Sequence, residues 1–420
     1  MSQTLTGIEQ NPKLGYYKVA DQIFYSKPAA YIHGTTHNST PVWNFNDVPY
    51  AKHDWTEEPE IGIQELYRQR ALQIREKYDY IILNCSGGAD STTAAFAFLL
   101  NGIHLDEIVF KYPKMGEKDQ AGDPWDTRCE NTLSEWNFAG KPLFDWIQTN
   151  YPDTKLRVHD FSENMLEQET TRDESWIFRT QNYFYPTHAD KHDNFYVNDH
   201  VKLYDSGKQI CLLYGIDKPK ITIIDNQWYC YFQDTPANYS NPYIGAYNNL
   251  TTELFFWTPD MPEISIKQTH LIRRWFTLPE NRHLQHLILH AFKNPIQRTA
   301  YENIIKPIIY PDYDPSTWQT AKSVKGFDCE MDQWFFTNFK DTRLFQVWEA
   351  GIELLIDKID PKYFSYQMGK PYGLTTCLSK FYYVGNNDHV NTPAFKNRSH
   401  LQSVGPYIAI QNKKIKKISE

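Results

Sequence analysis

The sequence predicts an α/β protein built around a parallel β-sheet with helices on both faces. Short apolar runs bounded by polar or turn-forming residues are typical of buried parallel strands. Four such runs occur, at 80–84, 107–112, 155–161 and 209–214. Segments with helical spacing or helix-favouring composition lie between them, and this alternation is typical of a parallel sheet with helical crossovers.

The chain of 420 residues is long enough for two or three domains, and we predict three. Residues 1–60 are rich in Tyr, Trp, Asn, Pro and His and lack a helical period, which predicts an N-terminal arm or lid. Residues 61–235 hold the predicted sheet. Residues 236–420 are predicted to form a mainly helical domain, with helices at 267–276 and 345–359.

Helices are also predicted on either side of the first strand. An amphipathic helix at 61–77 precedes this strand, and an alanine-rich helix at 90–100 follows it. The polar residues predicted to cap the second helix are Asp90, Ser91 and Thr92. A fifth strand of the sheet is predicted at 221–224.

The composition is that of a folded protein, with 41% hydrophobic and 22% charged residues and no low-complexity tract. A formal net charge of −8 disfavours a broad nucleic-acid-binding face, which needs basic residues. No segment approaches the roughly 20 apolar residues that cross a bilayer, and residues 1–14 lack the apolar run of a signal peptide. We therefore predict a soluble cytoplasmic protein that contacts no membrane.

The six cysteines are scattered, and no pair has C-x-x-C spacing. This pattern argues against a zinc ribbon, an iron–sulfur cluster and a disulfide framework, and it fits reduced thiols in a reducing compartment. The cysteines are at positions 85, 129, 211, 230, 329 and 377.

One segment, Ser-Gly-Gly-Ala-Asp-Ser at 86–91, has the composition of a phosphate-binding turn. Gly87 and Gly88 let the backbone approach a ligand closely, and successive amides of such a turn form a nest for an anion. The helix that follows directs its positive end to the same place. The turn also offers hydroxyl groups, which belong to Ser86, Ser91 and Thr92.

Asp90 cannot attract phosphate by charge, so we predict that it holds the loop, acts in catalysis or binds Mg²⁺. A plain Gly-Gly turn that joins a strand to a capped helix, without a ligand, is the alternative. The sequence has no G-x-x-x-x-G-K-[ST] motif, which disfavours the γ-phosphate chemistry of kinase-type P-loops.

The segment 86–91 fills every fixed position of the PP-loop signature S-G-G-x-D-S, and the chain resembles the PP-loop (N-type) ATP pyrophosphatases, or adenine nucleotide α hydrolases. More widely, it resembles PP-loop proteins of bacterial viruses that are labelled PAPS-reductase-like or asparagine-synthase-like. The resemblance implies a Rossmann-like sheet of the HUP type that binds ATP. It also implies that adenine rests against the backbone at the end of the second strand, here Phe110, Lys111 and Tyr112; the alternative is that these are core residues.

The fourth predicted strand ends in Gly-Ile-Asp-Lys-Pro at 215–219. Because parallel strands end on one edge of the sheet, this loop is expected beside the turn at 86–91. We predict that Lys218 neutralises the charge of a leaving pyrophosphate. Lys218 and Asp90 are the predicted catalytic residues. Asp217 and Asp90 are predicted to hold Mg²⁺. The residues of this loop predicted to bind the cofactor are Gly215 and Asp217. A plain turn before a proline is the alternative.

The resemblance implies a reaction in which an acceptor oxygen attacks the α-phosphorus of ATP, giving an adenylate and pyrophosphate. A small-molecule or nucleotide-type acceptor is expected, followed by attack of a nitrogen nucleophile. A homodimer is one expected assembly of the protein. Residue 2 is Ser rather than a nucleophilic Cys, which predicts a ligase without its own glutaminase. Two alternatives stay open: a sulfur-transfer or PAPS-reductase-like enzyme that uses Cys129 or Cys377, and a non-catalytic nucleotide-binding module.

Three weaker patterns also suggest functional residues. The histidines at 188, 192 and 200 have either a metal-binding role or a place in a polar loop. Arg273-Arg274 either meets an acidic substrate or an exposed phosphate, or lies on a solvated helix face. The segments 310–322 and 328–334 are dense in acidic and aromatic residues. Four of their acidic residues are candidate contacts to an amine-bearing substrate or ordinary solvated loop residues; they are Asp312, Asp314, Glu330 and Asp332.

Overall fold

The centre of the fold is a five-stranded parallel sheet. The structure, a computed structural model, describes residues 9–112, 136–160, 174–178, 184, 198–239, 247–290, 295–313, 340–367 and 370–388. Its strands are β1 (Tyr16–Val19), β2 (Gln22–Phe24), β3 (Val42–Asn44), β4 (Tyr80–Asn84), β5 (Glu107–Tyr112), β6 (Lys155–Asp160), β7 (Ile210–Tyr214), β8 (Lys220–Ile224), β9 (Gln227–Tyr231), β10 (Leu250–Leu254), β11 (Phe364–Gln367), β12 (Lys370–Leu374) and β13 (Tyr382–Asn386). Its α-helices are α1 (Lys27–Thr36), α2 (Asp47–Tyr50), α3 (Ile63–Lys77), α4 (Ala89–Leu99), α5 (Lys141–Asn150), α6 (Asn198–Tyr204), α7 (Glu263–Thr277), α8 (Gln285–His290), α9 (Pro295–Ile309) and α10 (Arg343–Lys358).

The strands of the central sheet lie in the order β6, β5, β4, β7 and β10, and all of them are parallel. Every residue of β7 is buried, as expected for a strand that is covered on both faces. Helices flank the sheet. The predicted α/β fold with a parallel sheet is therefore confirmed, and the four predicted strands correspond to β4, β5, β6 and β7.

The fifth strand of this sheet is not the one that the sequence analysis predicted. The predicted segment forms β8, which pairs antiparallel with β9 in a separate sheet that also contains β13. Asp225 and Asn226 join β8 to β9 with φ values of 48° and 59°, the backbone of a tight hairpin turn, which forces the two strands to be antiparallel. The fifth parallel strand is instead β10, paired with β7.

The domain boundary predicted at residue 235 does not coincide with an edge of the central sheet, because β10 lies beyond it. The small sheet of β8, β9 and β13 also joins both sides of this boundary. The N-terminal arm contains an antiparallel sheet of β1, β2 and β3. Its Phe45 ring lies 5.0 Å from that of Phe232 and 6.0 Å from that of Trp257, so the arm packs on the body of the protein.

Helix α4 begins one residue earlier than predicted and has a different cap. Gly88 is its N-cap residue, and among the described residues no side chain caps the helix, so the capping role predicted for Asp90, Ser91 and Thr92 is wrong. The reason is that the turn ends at Gly88, and these three residues already lie within the first turn of the helix. In the part of the chain that the structure describes, no helix combines the length and apolar character needed to span a membrane.

Candidate functional site

The glycine turn lies where the order of the strands reverses. The chain runs from β4 outward through β5 to β6, then returns to β7 on the other side of β4 and continues to β10. The ends of β4 and β7 are neighbours, with Asn84 paired with Tyr214. In open parallel sheets, ligands bind beyond the carboxyl ends of the strands at such a reversal. The predicted position of both loops on one edge is therefore confirmed.

Gly87 can be replaced by no other residue without moving its surroundings. Its φ is +73°, a left-handed conformation that favours glycine. A Cβ atom at this position would lie 2.8 Å from Gly140 N and 2.9 Å from the carbonyl carbon of Ala139. The turn therefore lies directly against the backbone of the segment 139–140.

Serine hydroxyl groups hold the shape of the turn from within. Ser91 Oγ accepts a hydrogen bond from Ser86 N at 3.2 Å and donates one to Gly88 O at 3.3 Å. Ser86 Oγ accepts one from Gly88 N at 3.4 Å. Thr92 is only 1% exposed, so its hydroxyl group is not presented at the surface of the turn. These side chains support the turn, and the main donors that remain for a ligand are backbone amides.

The start of α4 supplies those amides. The first amides of a helix have no partner within it, and among the described residues no side chain caps α4. The N-terminal end of a helix also carries a partial positive charge that favours anions. A left-handed glycine followed by a helix start without a side-chain cap therefore presents the kind of backbone donors that bind a phosphate group.

The loop after β7 packs against this cradle. A Cβ atom at Gly215 would lie 2.7 Å from Ser91 Cα and 2.8 Å from the carbonyl carbon of Asp90. The close approach brings the segment 215–219 to the first turn of α4. Gly215 therefore has a structural reason to be glycine at the predicted site.

Lys218 links the two loops through a buried charge cluster. Its Nζ lies 2.6 Å from Asp90 Oδ2 and 3.2 Å from Asp217 Oδ1, and its side chain is 9% exposed. Burial opposes its charge, but Asp90 and Asp217 outweigh this and raise the pKa of Lys218. Burial also opposes ionisation of Asp217, but Lys220, whose Nζ lies 2.6 Å from Asp217 Oδ2, and Lys218 lower the pKa of that carboxyl. The structure thus brings the predicted residues Asp90, Asp217 and Lys218 together.

Magnesium does not fit the two carboxylates in this arrangement. The ammonium group of Lys218 lies between Asp90 and Asp217, where a cation bound by both would lie. In the described ranges, no group of three or more His, Cys, Asp or Glu side chains could hold a metal ion. Mg²⁺ prefers oxygen ligands in a near-octahedral arrangement, and here the carboxylates are already bonded to ammonium groups.

Sequence reasoning missed Tyr310, which belongs to the same cluster. Its hydroxyl group donates a hydrogen bond to Asp90 Oδ1, and the residue is fully buried at the end of α9. Glu302, which lies in α9, interacts electrostatically with Lys218. Burial opposes its ionisation, but the charges of Lys218 and Arg298 lower its pKa to about 2. The acidic and aromatic composition after residue 310 was a signal, although it pointed to an amine-bearing substrate rather than to Asp90.

The end of β5 offers mainly backbone to a ligand. Phe110 is 1% exposed, and its ring lies 4.9 Å from that of Trp136, which is the core role given above as the alternative. Lys111 is half-buried. The side chain of Tyr112 lies outside the described residues. A contact between adenine and the backbone of this strand end stays a prediction.

Other candidates have internal partners. Arg273 donates to the carbonyl groups of Val384 and Asn386, and Arg274 pairs with Glu58, so the predicted solvated face is wrong. Asp312 is half-buried; burial raises its pKa, and Gln64 donates to its carboxylate at 3.0 Å. The other acidic candidates, Asp314, Glu330 and Asp332, lie outside the described residues.

The remaining candidates lie partly outside the described residues. His200 pairs with Glu107 at 3.0 Å, whereas His188 and His192 lie outside them. Cys377 is buried, and burial raises the pKa of its thiol to about 11. Cys129, the other cysteine of the sulfur alternative, also lies outside the described part of the chain.

Comparison of the chain with protein-family models, curated proteins and solved structures gave no match.

Proposed function

We propose that the protein binds ATP with its pyrophosphate portion in the glycine turn and transfers AMP to an acceptor substrate. The observation that carries the proposal is the turn at 86–91, which precedes an uncapped helix at the reversal of a parallel sheet. Lys218 supplies a fixed positive charge next to it. The proposal includes a Rossmann-like fold of the HUP type and a cytoplasmic location, in keeping with the buried free thiols of Cys85, Cys211, Cys230 and Cys377.

The proposed reaction has two steps. An oxygen atom of the acceptor attacks the α-phosphorus, a new oxygen–phosphorus bond forms, and the bond to the bridging oxygen breaks so that its electron pair leaves with pyrophosphate. The amides of the turn and Lys218 stabilise this charge. A nitrogen nucleophile, an amine or ammonia, then attacks the activated acceptor, loses a proton and displaces AMP. The protein contributes positioning and charge stabilisation.

The acceptor in this proposal is a small molecule or a nucleotide-type compound. A sulfur nucleophile is the alternative, and it requires a reactive thiol in the cleft. The thiols of Cys377 and Cys230 do not meet this requirement, because burial raises their pKa values to about 11 and about 12. Cys129, the other cysteine of this alternative, lies outside the described residues. We favour nitrogen chemistry because the sequence also has no C-x-x-C pair.

The test is incubation of the protein with labelled ATP, MgCl₂ and a metabolite extract, with AMP and pyrophosphate as readouts. Pyrophosphate release should require the extract, and Asp90→Ala should abolish it, because the substitution removes the carboxylate that holds Lys218 beside the turn. Asp145→Ala is the matched control, because this exposed carboxylate pairs only with Lys141 among the contacts of the described residues. Unchanged turnover in Asp90→Ala would remove the site assignment, and ATP binding without turnover in any extract would favour a non-catalytic module.

A further inference from the structure

Tyr310 contacts the proposed phosphate site from outside the two loops that form it. Its hydroxyl group donates to Asp90 Oδ1, while Lys218 Nζ donates to Asp90 Oδ2 at 2.6 Å. Both oxygens of the Asp90 carboxylate are therefore held, one by a neutral donor and one by a cation. The tyrosine lies 220 positions along the chain from the aspartate.

The surroundings of Tyr310 fix the position of its hydroxyl group. Its backbone N–H donates to Lys306 O at 2.8 Å, which ties it to the end of α9. Its ring lies 5.3 Å from that of Phe256 and 6.5 Å from that of Tyr67. Burial, followed by the charge of Asp90, raises the pKa of Tyr310 well above its usual value, so the group is a neutral donor at physiological pH.

An unrestrained carboxylate in this place would oppose anion binding. Asp90 lies in the first turn of α4, and a carboxylate there competes with a bound anion for the same positive helix end. With both oxygens engaged, the carboxylate is held in one orientation and its charge is partly neutralised. The neighbouring amides of the turn then remain accessible to a phosphate group.

We propose that Tyr310 is a positioning residue for pyrophosphate binding, which acts by holding the Asp90 carboxylate. The segment that ends α9 thereby completes the nucleotide site, although it lies in the predicted third domain. This inference rests on the proposed function, because it assigns Tyr310 to the binding of the same pyrophosphate group.

The test compares Tyr310→Phe with Tyr67→Phe by titration calorimetry in buffer that contains MgCl₂. Tyr67 is a matched control, because it is buried beside Tyr310 and its hydroxyl group donates to Ile309 O at 2.7 Å rather than to Asp90. We expect Tyr310→Phe to weaken the binding of pyrophosphate and of ATP about tenfold, the usual scale for a hydrogen bond to a charged group. The binding of AMP should change less than about twofold. Tyr67→Phe should leave all three affinities close to those of the wild type.

The outcomes separate this inference from the proposed function. If the wild type binds neither pyrophosphate nor ATP, both are overturned. If the wild type binds them and Tyr310→Phe binds them equally well, the inference alone is overturned. An equal loss of affinity for pyrophosphate and AMP, or the same loss in Tyr67→Phe, would indicate a general structural role and would also overturn it.

A measurement on the wild type covers the case in which Tyr310→Phe does not fold. Saturating pyrophosphate should slow amide hydrogen exchange at 86–92 and also at 306–310, by about threefold or more, because the two segments share the Asp90 contact. Exchange in α10 should not change. Protection at 86–92 without protection at 306–310 would overturn the inference.

Discussion

Two clusters of buried charge lie at opposite ends of the same parallel sheet. The cluster at the amino end surrounds Glu107, the first residue of β5, which is fully buried. Its carboxylate accepts hydrogen bonds from His200 Nε2 at 3.0 Å, Arg157 Nε at 2.8 Å and the hydroxyl group of Tyr80 at 3.0 Å. Burial opposes ionisation, but His200 and then Arg157 lower the pKa of Glu107 to about 2.

The cluster at the carboxyl end has similar chemistry and different surroundings. Lys218 is buried there, but the side chains of Asp90 and Asp217 are 23% and 17% exposed. A glycine turn and an uncapped helix start lie next to it. Glu107, by comparison, is enclosed by side chains that already satisfy it.

The difference shows that a shifted pKa does not by itself identify a binding site. Glu107 and Asp217 both have lowered pKa values, and structural ion pairs produce such shifts as readily as functional sites do. Position at the carboxyl end of the strands and open backbone donors distinguish the second cluster. We therefore expect the first cluster to control stability and the second to control anion binding.

The largest effect is expected from Glu107→Ala. Removal of this carboxylate takes away one ion-pair partner of the buried His200 and the half-buried Arg157, and a broken buried ion pair costs about 3–5 kcal/mol. The free energy of unfolding, measured by urea denaturation at pH 7, should fall by that amount. The affinity of the folded variant for pyrophosphate should match that of the wild type. A loss of affinity would show that the first cluster also controls anion binding.

A smaller loss of stability with a large loss of binding is expected from Gly215→Ala. The added Cβ atom would meet the backbone of Asp90 and Ser91, so the two loops must separate. Overpacking of this kind costs about 1–3 kcal/mol, and the affinity for pyrophosphate should fall at least about tenfold. Gly62→Ala is the control, because its φ is −70° and a Cβ atom there meets nothing within 4 Å. Equal affinities in the two variants would contradict the packing argument.

Lys218→Met tests whether the second cluster acts on anion binding through the charge of Lys218. Methionine keeps much of the side-chain volume and removes the charge between Asp90 and Asp217. We expect the binding of pyrophosphate to weaken about 10- to 100-fold, or about 1.4–2.7 kcal/mol. Lys220→Met is the matched control, because among the described residues of this cluster Lys220 bonds only to Asp217, and the substitution should change binding about threefold or less. Equal effects of the two substitutions would show that Lys218 has no special place in the site.

The sequence was sufficient to predict the site where the local pattern carries the information. The central residues of β4 and all residues of β7 are buried, and Gly87 and Gly215 after them are required by close backbone contacts, so both loops could be identified. Strand β10 has the sequence Leu-Thr-Thr-Glu-Leu, and its Glu253 is buried because Arg70 pairs with it at 3.0 Å. A polar residue satisfied by a distant partner breaks the apolar pattern on which strand prediction depends.

Tyr310 and Arg273 could not be placed from sequence for a related reason. The partner of Tyr310 lies 220 residues away, and Arg273 donates to backbone carbonyl groups of β13. Such contacts depend on tertiary packing, and no periodicity in the local sequence indicates them. The local sequence is equally consistent with a buried and a solvent-exposed side chain at these positions.

The smallest effect that we predict is a change in stability at acidic pH. The folded-state pKa of Glu107, about 2, lies below its ordinary value of 4.5, so its contribution to stability is complete above pH 4.5 and is lost as the pH falls toward 2. Between pH 4.5 and 3, the wild type should therefore lose stability faster than Glu107→Gln, by at most about 1.4 kcal/mol per pH unit, because one proton is involved. Other carboxylates, including Glu253, titrate in both proteins, so their contributions cancel in the difference. Urea denaturation of the two proteins at pH 5, 4 and 3 measures the difference in their free energies of unfolding. Parallel pH profiles would show that the charge of Glu107 does not stabilise the amino-end cluster.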